Sequence, residues 1–514
     1  MAKGRFSGQI EFRGGFSTLE ILIAMAILIL VLSSVIMVAF GGQQIISDNE
    51  IAGEALKKAQ ELLEQEQSLA RKDFKLVNPV SEASDGIYRK RVEVETESDY
   101  LTKKITSIVA WTGEHGRNLD IRLTALVTNF EYAIGGDTCN SVVTDQNWTA
   151  PIYASYGFVA GDLLPSGMTG NFYVADIDVY NGKLYAAVSD TSVNTDHAFF
   201  AFDASNPSVR PPYLGSADNA PTRQDGISAI HAAGKYVYAA SLVGASFGPT
   251  PSCALGPNCA QLQIFNVSNP SSIPAPINFK VPGVFGSGGQ AAGKSIFYKN
   301  GYVYLGLSKT ASGPEFNIID VRDPSNIRWI GGWSAGNAVN AIYVRKNFAY
   351  VAVATSVGQE LFVLDIANPV NPVVAGGFDA ASGGFGGYGK SIYAVGDTLY
   401  FGRTFEPSTA REEFYILNNA NPAATLPLLG ARDMGESVNG IIVRDFLAFV
   451  LLGNQMQIMK ISNPASIDPA YAPPFLFSGT NVGKALDCEG NYLYIGTADS
   501  ASNAGAITVV KPGL

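Results

Sequence analysis

The chain has 514 residues, 35 Lys and Arg against 45 Asp and Glu, and only three His. A net charge of -10 leaves no basic stripe to neutralise phosphates, which argues against a nucleic-acid partner. The three histidines argue against a His-built metal centre, and 47% hydrophobic residues argue against disorder.

Charge is spread unevenly. Residues 1–134 hold 15 of the Lys and Arg and 18 of the Asp and Glu. This first quarter is about twice as charged per residue as the remainder, which places a domain boundary near residue 135. The 54 Gly and 26 Pro predict many short strands and tight turns beyond it.

The first element in the chain is an apolar stretch, Ile21 to Phe40, interrupted only by Ser33 and Ser34. At 1.5 Å per residue it is long enough to cross a bilayer. Lys3, Arg5 and Arg13 precede it and predict a cytoplasmic N-terminus. Just ahead of the apolar core stands Gly14-Gly15-Phe16-Ser17-Thr18-Leu19-Glu20.

That motif resembles the type IV prepilin signal. The resemblance implies cleavage between Gly15 and Phe16 by a prepilin peptidase, leaving residues 1–15 as a removable leader. It also implies a methylated Phe16 at the new N-terminus. Glu20, costly at the edge of an apolar span unless paired, would engage the N-terminal amine of a neighbouring subunit during assembly. Many major pilins carry a proline in this helix, and none stands here. The helix is expected over 16–75, since Ala52, Ala55, Leu56, Ala59, Leu62, Leu63 and Leu69 recur at helical spacing. Gly41-Gly42 is expected to loosen its middle.

Residues 76–135 predict a small β domain. Alternating runs at Tyr88–Thr96, Lys104–Trp111 and Leu119–Val127 read as strands, with a turn over Thr112–Asn118. The order is similar to the small sheet of minor pilins and pseudopilins, with Trp111 expected in its core.

From about residue 172 one unit recurs seven times. A first segment is a strand, a turn and a second strand ending in an aromatic: Tyr185, Tyr238, Tyr304, Tyr350, Tyr400, Phe449 and Tyr494 mark the copies. A second segment runs an apolar strand into an Asn-Pro or Asp-Pro turn, as in Ile319-Asp-Val-Arg-Asp-Pro324 and Leu364-Asp-Ile-Ala-Asn-Pro369. A fourth strand follows, as in Val373–Phe378. Four strands per repeat of about 50 residues predict a seven-bladed β-propeller over 172–514. The seventh copy lacks its fourth strand. Residues 136–171 are read as a linker whose Pro151–Phe158 supplies that strand and closes the ring. The repeats resemble the LVIVD-repeat propeller family, known mainly from extracellular and surface proteins.

The fold class expected is therefore mainly β: a long N-terminal helix with a small pilin-type sheet, then a seven-bladed propeller. Cys253 and Cys259, around a short loop in an exported chain, are candidates for one disulfide, and Cys139 and Cys488 for a second that fastens the closure. Gly288–Ser295 and Gly384–Ser391 fit the P-loop pattern, but both run into strands rather than opening a helix, so no nucleotide is expected. Gly244-Ala-Ser246-Phe-Gly248 lacks a strand-to-helix elbow and a following His, so no serine hydrolase is expected. Asp190, Asn194 and Asp196 carry oxygens that suit calcium, yet read better as a solvated loop. Phe247, Phe385 and Tyr388 are candidates for a binding face.

No catalytic residue, metal or cofactor is expected. The expected role is a minor or tip subunit of a type IV pilus that displays the propeller for adhesion or ligand binding. The expected partners are the prepilin peptidase, other pilin or pseudopilin subunits, the inner membrane before assembly, and an unknown extracellular or surface ligand. A pseudopilin of a type II secretion or DNA-uptake system is one alternative. A pilin-anchored enzyme with its active site in the propeller channel is another.

Overall fold

The computed structural model describes residues 18–72, 74, 77–96, 102–113, 116–128, 138–139, 143, 146–168, 172–189, 197–218, 226–241, 260–286, 291–355, 358–380, 387–407, 411–499 and 505–513. The chain divides into two compact units: 1–96 with 103–127, and 97–102 with 128–514.

The first unit begins with helix α1 (Thr18–Lys72), whose backbone runs unbroken through Gly41-Gly42. Four strands follow: β1 (Val80–Asp85), β2 (Tyr88–Thr96), β3 (Thr102–Thr112) and β4 (Asn118–Thr128). They form a sheet in the order β1-β2-β3-β4. Ala55 and Ala59 of the helix are fully buried against Tyr88, Val109 and Trp111. Small residues on the helix let it approach the sheet closely, and the aromatics fill the space beside them. Ser107 in β3 donates to the Ala59 carbonyl at 2.8 Å and Tyr88 to the Ile51 carbonyl at 3.1 Å, so both buried hydroxyls of this contact are satisfied. Strand β1 has no counterpart in the sequence reading. Its side chains are nearly all exposed, so it carries no apolar alternation to detect.

Among the described residues, no helix is long and apolar enough to cross a membrane. This does not fit the single span expected over 21–40. Within that stretch side chains are described only at 22, 23 and 25–35. Those from Leu22 to Val35 include ten large hydrophobics that are each more than half exposed.

Among its described residues the second unit holds six four-stranded sheets, one five-stranded sheet, and a small two-stranded sheet of Phe285–Gly286 with Thr310–Ser312; the first seven of these are stacked side by side. Their innermost strands are Tyr173–Tyr180, Ile227–Ala233, Gly293–Lys299, Val339–Arg345, Gly389–Val395, Gly440–Arg444 and Asn481–Gly490. Each touches the next, and the last touches the first. The sheets are thus the blades of a closed propeller, numbered here 1 to 7 in chain order. The marker aromatics lie inside the second strand of each blade rather than at its end, and all seven are buried.

Blade 7 is completed from the other end of the sequence. Strand β5 (Thr138–Cys139) pairs in parallel with its innermost strand, and β6 (Asn147–Gly157) pairs antiparallel with its outermost segment, Gly505–Gly513. Cys139 and Cys488 form a disulfide with Cα atoms 5.1 Å apart. Phe158, Phe172 and Phe200 pack edge to face at this seam, with Phe158 and Phe200 centroids 5.0 Å apart. Trp148, fully buried, meets Phe449 of blade 6 at 4.7 Å.

The Asn-Pro turns have a clear structural task. Asn206, Asn269, Asp323, Asn368 and Asn463 each accept a backbone N–H two residues on. The turn of one blade then lies against a glycine in the fourth strand of the preceding blade. A Cβ at Gly215, Gly331 or Gly430 would collide with the carbonyl oxygen of Pro270, Pro369 or Pro464. This close approach explains why glycine recurs in strands that otherwise disfavour it.

Candidate functional site

The innermost strands share one irregularity. In six blades the pairing with the second strand skips one residue: Ala175, Ser228, Lys294, Asn340, Lys390 and Lys484. In blade 6, Asn439 stands at the same place, just ahead of the strand. A bulge leaves its extra residue out of the ladder and re-aims the side chain. Repeated around a closed ring, it sets seven residues around one end of the central channel.

Two kinds of side chain alternate there. Ser228, Asn340 and Asn439 donate to the carbonyls of Gly293, Gly389 and Gly483, at 2.5, 2.8 and 2.7 Å. Each reaches across a blade boundary to the residue just before a bulged lysine. Lys294, Lys390 and Lys484 themselves make no hydrogen bond or ion pair with a described residue. Lys294 and Lys484 are exposed, whereas Lys390 is half-buried. Burial, helped by the charges of Lys484 and Lys294, holds the Lys390 ammonium down to about 8. The three side chains therefore share one electrostatic space.

The loops around this mouth are braced by buried carboxylates just before the third strand of a blade. Glu315 accepts the N–H groups of Ala335 and Gly336, Glu360 that of Ala380, and Glu413 that of Met434. Each fixes the loop that leads into the next innermost strand. Glu360 also accepts from Arg403 Nη2 at 2.7 Å, with both side chains almost inaccessible. Burial nevertheless pushes the Glu360 carboxyl up, against the pull of Arg403. Asp176, beside Ala175, accepts from Ile177 and Ile230 and is pushed up to about 7 by burial. On the rim stands Tyr388, 44% exposed, whose carbonyl receives the Thr404 N–H.

At the opposite end four charged side chains reach across blade boundaries. Arg345 donates to the Gly396 carbonyl and Arg444 to that of Gly490. Asp487 and Glu489 accept from Val179 and Gly182. These contacts tie blade 4 to blade 5, blade 6 to blade 7 and blade 7 to blade 1. An open groove of about 480 Å³ lies at this end, lined by Tyr180, Tyr236, Tyr238, Tyr298, Lys235 and Arg322 among others. Tyr238 and Tyr298 stack within it at 4.7 Å.

Of the sequence candidates, Gly15, Phe16, Asp190, Asn194, Asp196, Ser246, Phe247, Cys253, Cys259 and Phe385 lie outside the described residues, as does the Glu20 side chain. Cys139 and Cys488 are brought together, and Tyr388 reaches the channel mouth. The P-loop-like stretches contribute the start of an innermost strand at Gly293 and Gly389, with the lysine bulged out of it. Among the described residues, no group of three or more His, Cys, Asp or Glu could hold a metal. The sequence reading passed over Lys294, Lys390 and Lys484 as site residues. Their signal was present in the repeated Gly-Lys of blades 3, 5 and 7.

No family model matches the chain, and no curated protein matches it. Among solved structures it is similar to the WD40 domain of Neurospora crassa Pan2, at 10% identity, over 71% of this chain and 97% of that one, with a TM-score of 0.44. It is also similar to the AfRom2 CNH domain, at 10% identity over 68% and 98%, with a TM-score of 0.36. Kluyveromyces lactis Hsv2 matches at 11% identity over 66% and 99%, with a TM-score of 0.37. The propeller assignment stands on the strand order and the closed ring of innermost strands, not on these likenesses.

Proposed function

We propose that this protein is an exported, pilin-like subunit that displays a β-propeller outside the cell to capture a ligand. The observation that carries the reading is the N-terminal pairing of Gly15-Phe16-Ser17-Thr18-Leu19-Glu20 with the apolar run 21–40. The described part of α1 adds physical support. Ten Leu, Ile, Val and Met side chains between residues 22 and 35, each more than half exposed, stand to gain about 1–2 kcal/mol each on burial. Such a helix calls for a covering of lipid before assembly and of other apolar helices afterwards. The small sheet packed on Ala55 and Ala59 agrees with a pilin-type head, and the repeats with an LVIVD-like propeller. A propeller of this bulk suits a minor or tip subunit better than one repeated along a tight shaft.

The test is direct. Replacing Gly15 is expected to leave the leader attached, read by N-terminal sequencing or mass spectrometry of the membrane fraction. Glu20→Ala is expected to lower incorporation into filaments while the propeller still folds. Labelled antibody is expected at filament tips. Removal of the leader from the Gly15 variant would sink the prepilin reading. Even labelling along the shaft would sink the tip role, and retention in the envelope would favour a pseudopilin.

A further inference from the structure

We propose that the bulged lysines Lys294, Lys390 and Lys484 form an oxyanion-binding site at the mouth of the propeller channel. Its occupant is a compact group of two or three negative charges, such as a phosphate, a sulfate or a tricarboxylate. The inference deepens the ligand-capture reading and rests on it.

Four observations converge. First, the lysines occupy one structural position, on blades spaced two, two and three apart around a closed ring. They face a shared space from three sides. Second, none has a hydrogen bond or ion pair with a described residue, whereas Arg345, Arg444 and Glu489 at the opposite end are spent on blade-to-blade contacts. Third, the intervening Ser228, Asn340 and Asn439 fix the backbone immediately before each lysine. Such bracing keeps donors in place before a ligand arrives. Fourth, the chain carries a net charge of -10, so three ammonium groups at one mouth, without a partner among the described residues, oppose its overall sign. A cleft with low-dielectric walls focuses such a local field on an incoming anion. Asp176, the carboxylate next to the bulge position of blade 1, already accepts two backbone N–H groups.

The test uses the full chain in detergent and isothermal titration calorimetry with three probes: inorganic phosphate, citrate and a polysaccharide bearing phosphate monoesters. The small probes read a free anion, and the polysaccharide reads the same chemistry on a polymer. At least one probe is expected to bind. Lys294→Met, Lys390→Met and Lys484→Met are each expected to weaken that binding by tenfold or more, and the triple variant to abolish it. Lys460→Met, with the same charge change on the outer part of blade 6, is expected to bind like the parent. Lys390→Arg is expected to keep most of the affinity. Failure of all three probes to bind overturns the proposal, as does binding that survives the triple variant. Circular dichroism confirms that each variant is folded before titration. Leader removal and filament location are read on intact cells, so a failure here is distinguishable from a failure of the display reading.

Discussion

Lys390→Met is expected to stabilise the propeller, because the wild-type lysine is held at a cost. Burial and two neighbouring ammonium groups lower its ionisation from the ordinary 10.5 to about 8. That difference corresponds to about 3 kcal/mol at most, and to about 2 once partial exposure is allowed for. The sign fixes the pH window. Below pH 8 the folded and unfolded chains both hold the proton, and the folded state carries the full cost. Between pH 8 and 10.5 the unfolded chain keeps a proton that the folded one has released, so stability rises with pH. Methionine removes the charge and keeps the length of the side chain. The variant should therefore exceed the wild type by about 2 kcal/mol at pH 7, and the gap should close by pH 10.5. For a unit of roughly 390 residues this is a rise in Tm of about 3 °C. Urea unfolding, followed by fluorescence of the fully buried Trp148, measures it at pH 7, 8.5 and 10. A variant less stable than the wild type at pH 7, or a gap that does not change with pH, would refute the reasoning.

Three further outcomes follow from the packing. Arg403→Met strands Glu360, fully inaccessible and already pushed up by burial, and should cost about 3–5 kcal/mol. The loss should grow from pH 5 to pH 8, since a carboxyl whose ionisation is raised on folding loses stability as it deprotonates. A loss under about 1 kcal/mol by urea unfolding would show that the pair is dispensable. Gly430→Ala sets a methyl group against the Pro464 carbonyl and should cost about 1–3 kcal/mol, measured as a lowered urea midpoint. A midpoint equal to the wild type would mean that the blades separate easily at this turn. Finally, Cys139→Ser with Cys488→Ser should cost about 2–4 kcal/mol by the same assay. Retention of the wild-type midpoint would show that β6 holds the ring shut unaided.

Much of the propeller was legible because its signals are periodic. Seven hairpins with a buried aromatic and six Asx-Pro turns repeat often enough to outweigh weak individual copies. The missing fourth strand of blade 7 was also readable, since Pro151–Phe158 resembles the strand that the seventh copy lacks. Strand β1 was not, because Val-Ser-Glu-Ala-Ser-Asp buries almost nothing and is held by its neighbour's backbone. The Glu360–Arg403 pair was invisible for another reason: its members lie 43 positions apart in different blades, and neither is unusual in its local sequence. The lysine ring lies between these cases. Gly293-Lys, Gly389-Lys and Gly483-Lys are plainly repeated in the sequence, but the P-loop question drew attention to the glycines. That the lysines meet at one mouth depends on ring closure and on a bulge, and neither is a property of a local window.

The way blade 7 is assembled also decides how the ring would carry tension. A pull arriving from the N-terminal side of residue 138 meets Cys139 before it meets β6. The bond to Cys488 passes that load straight into the innermost strand of the last blade. The eleven-residue β6, which hydrogen bonds alone would leave open to peeling, lies downstream and is bypassed. Force is thus delivered to the hub of the wheel rather than to its outer edge.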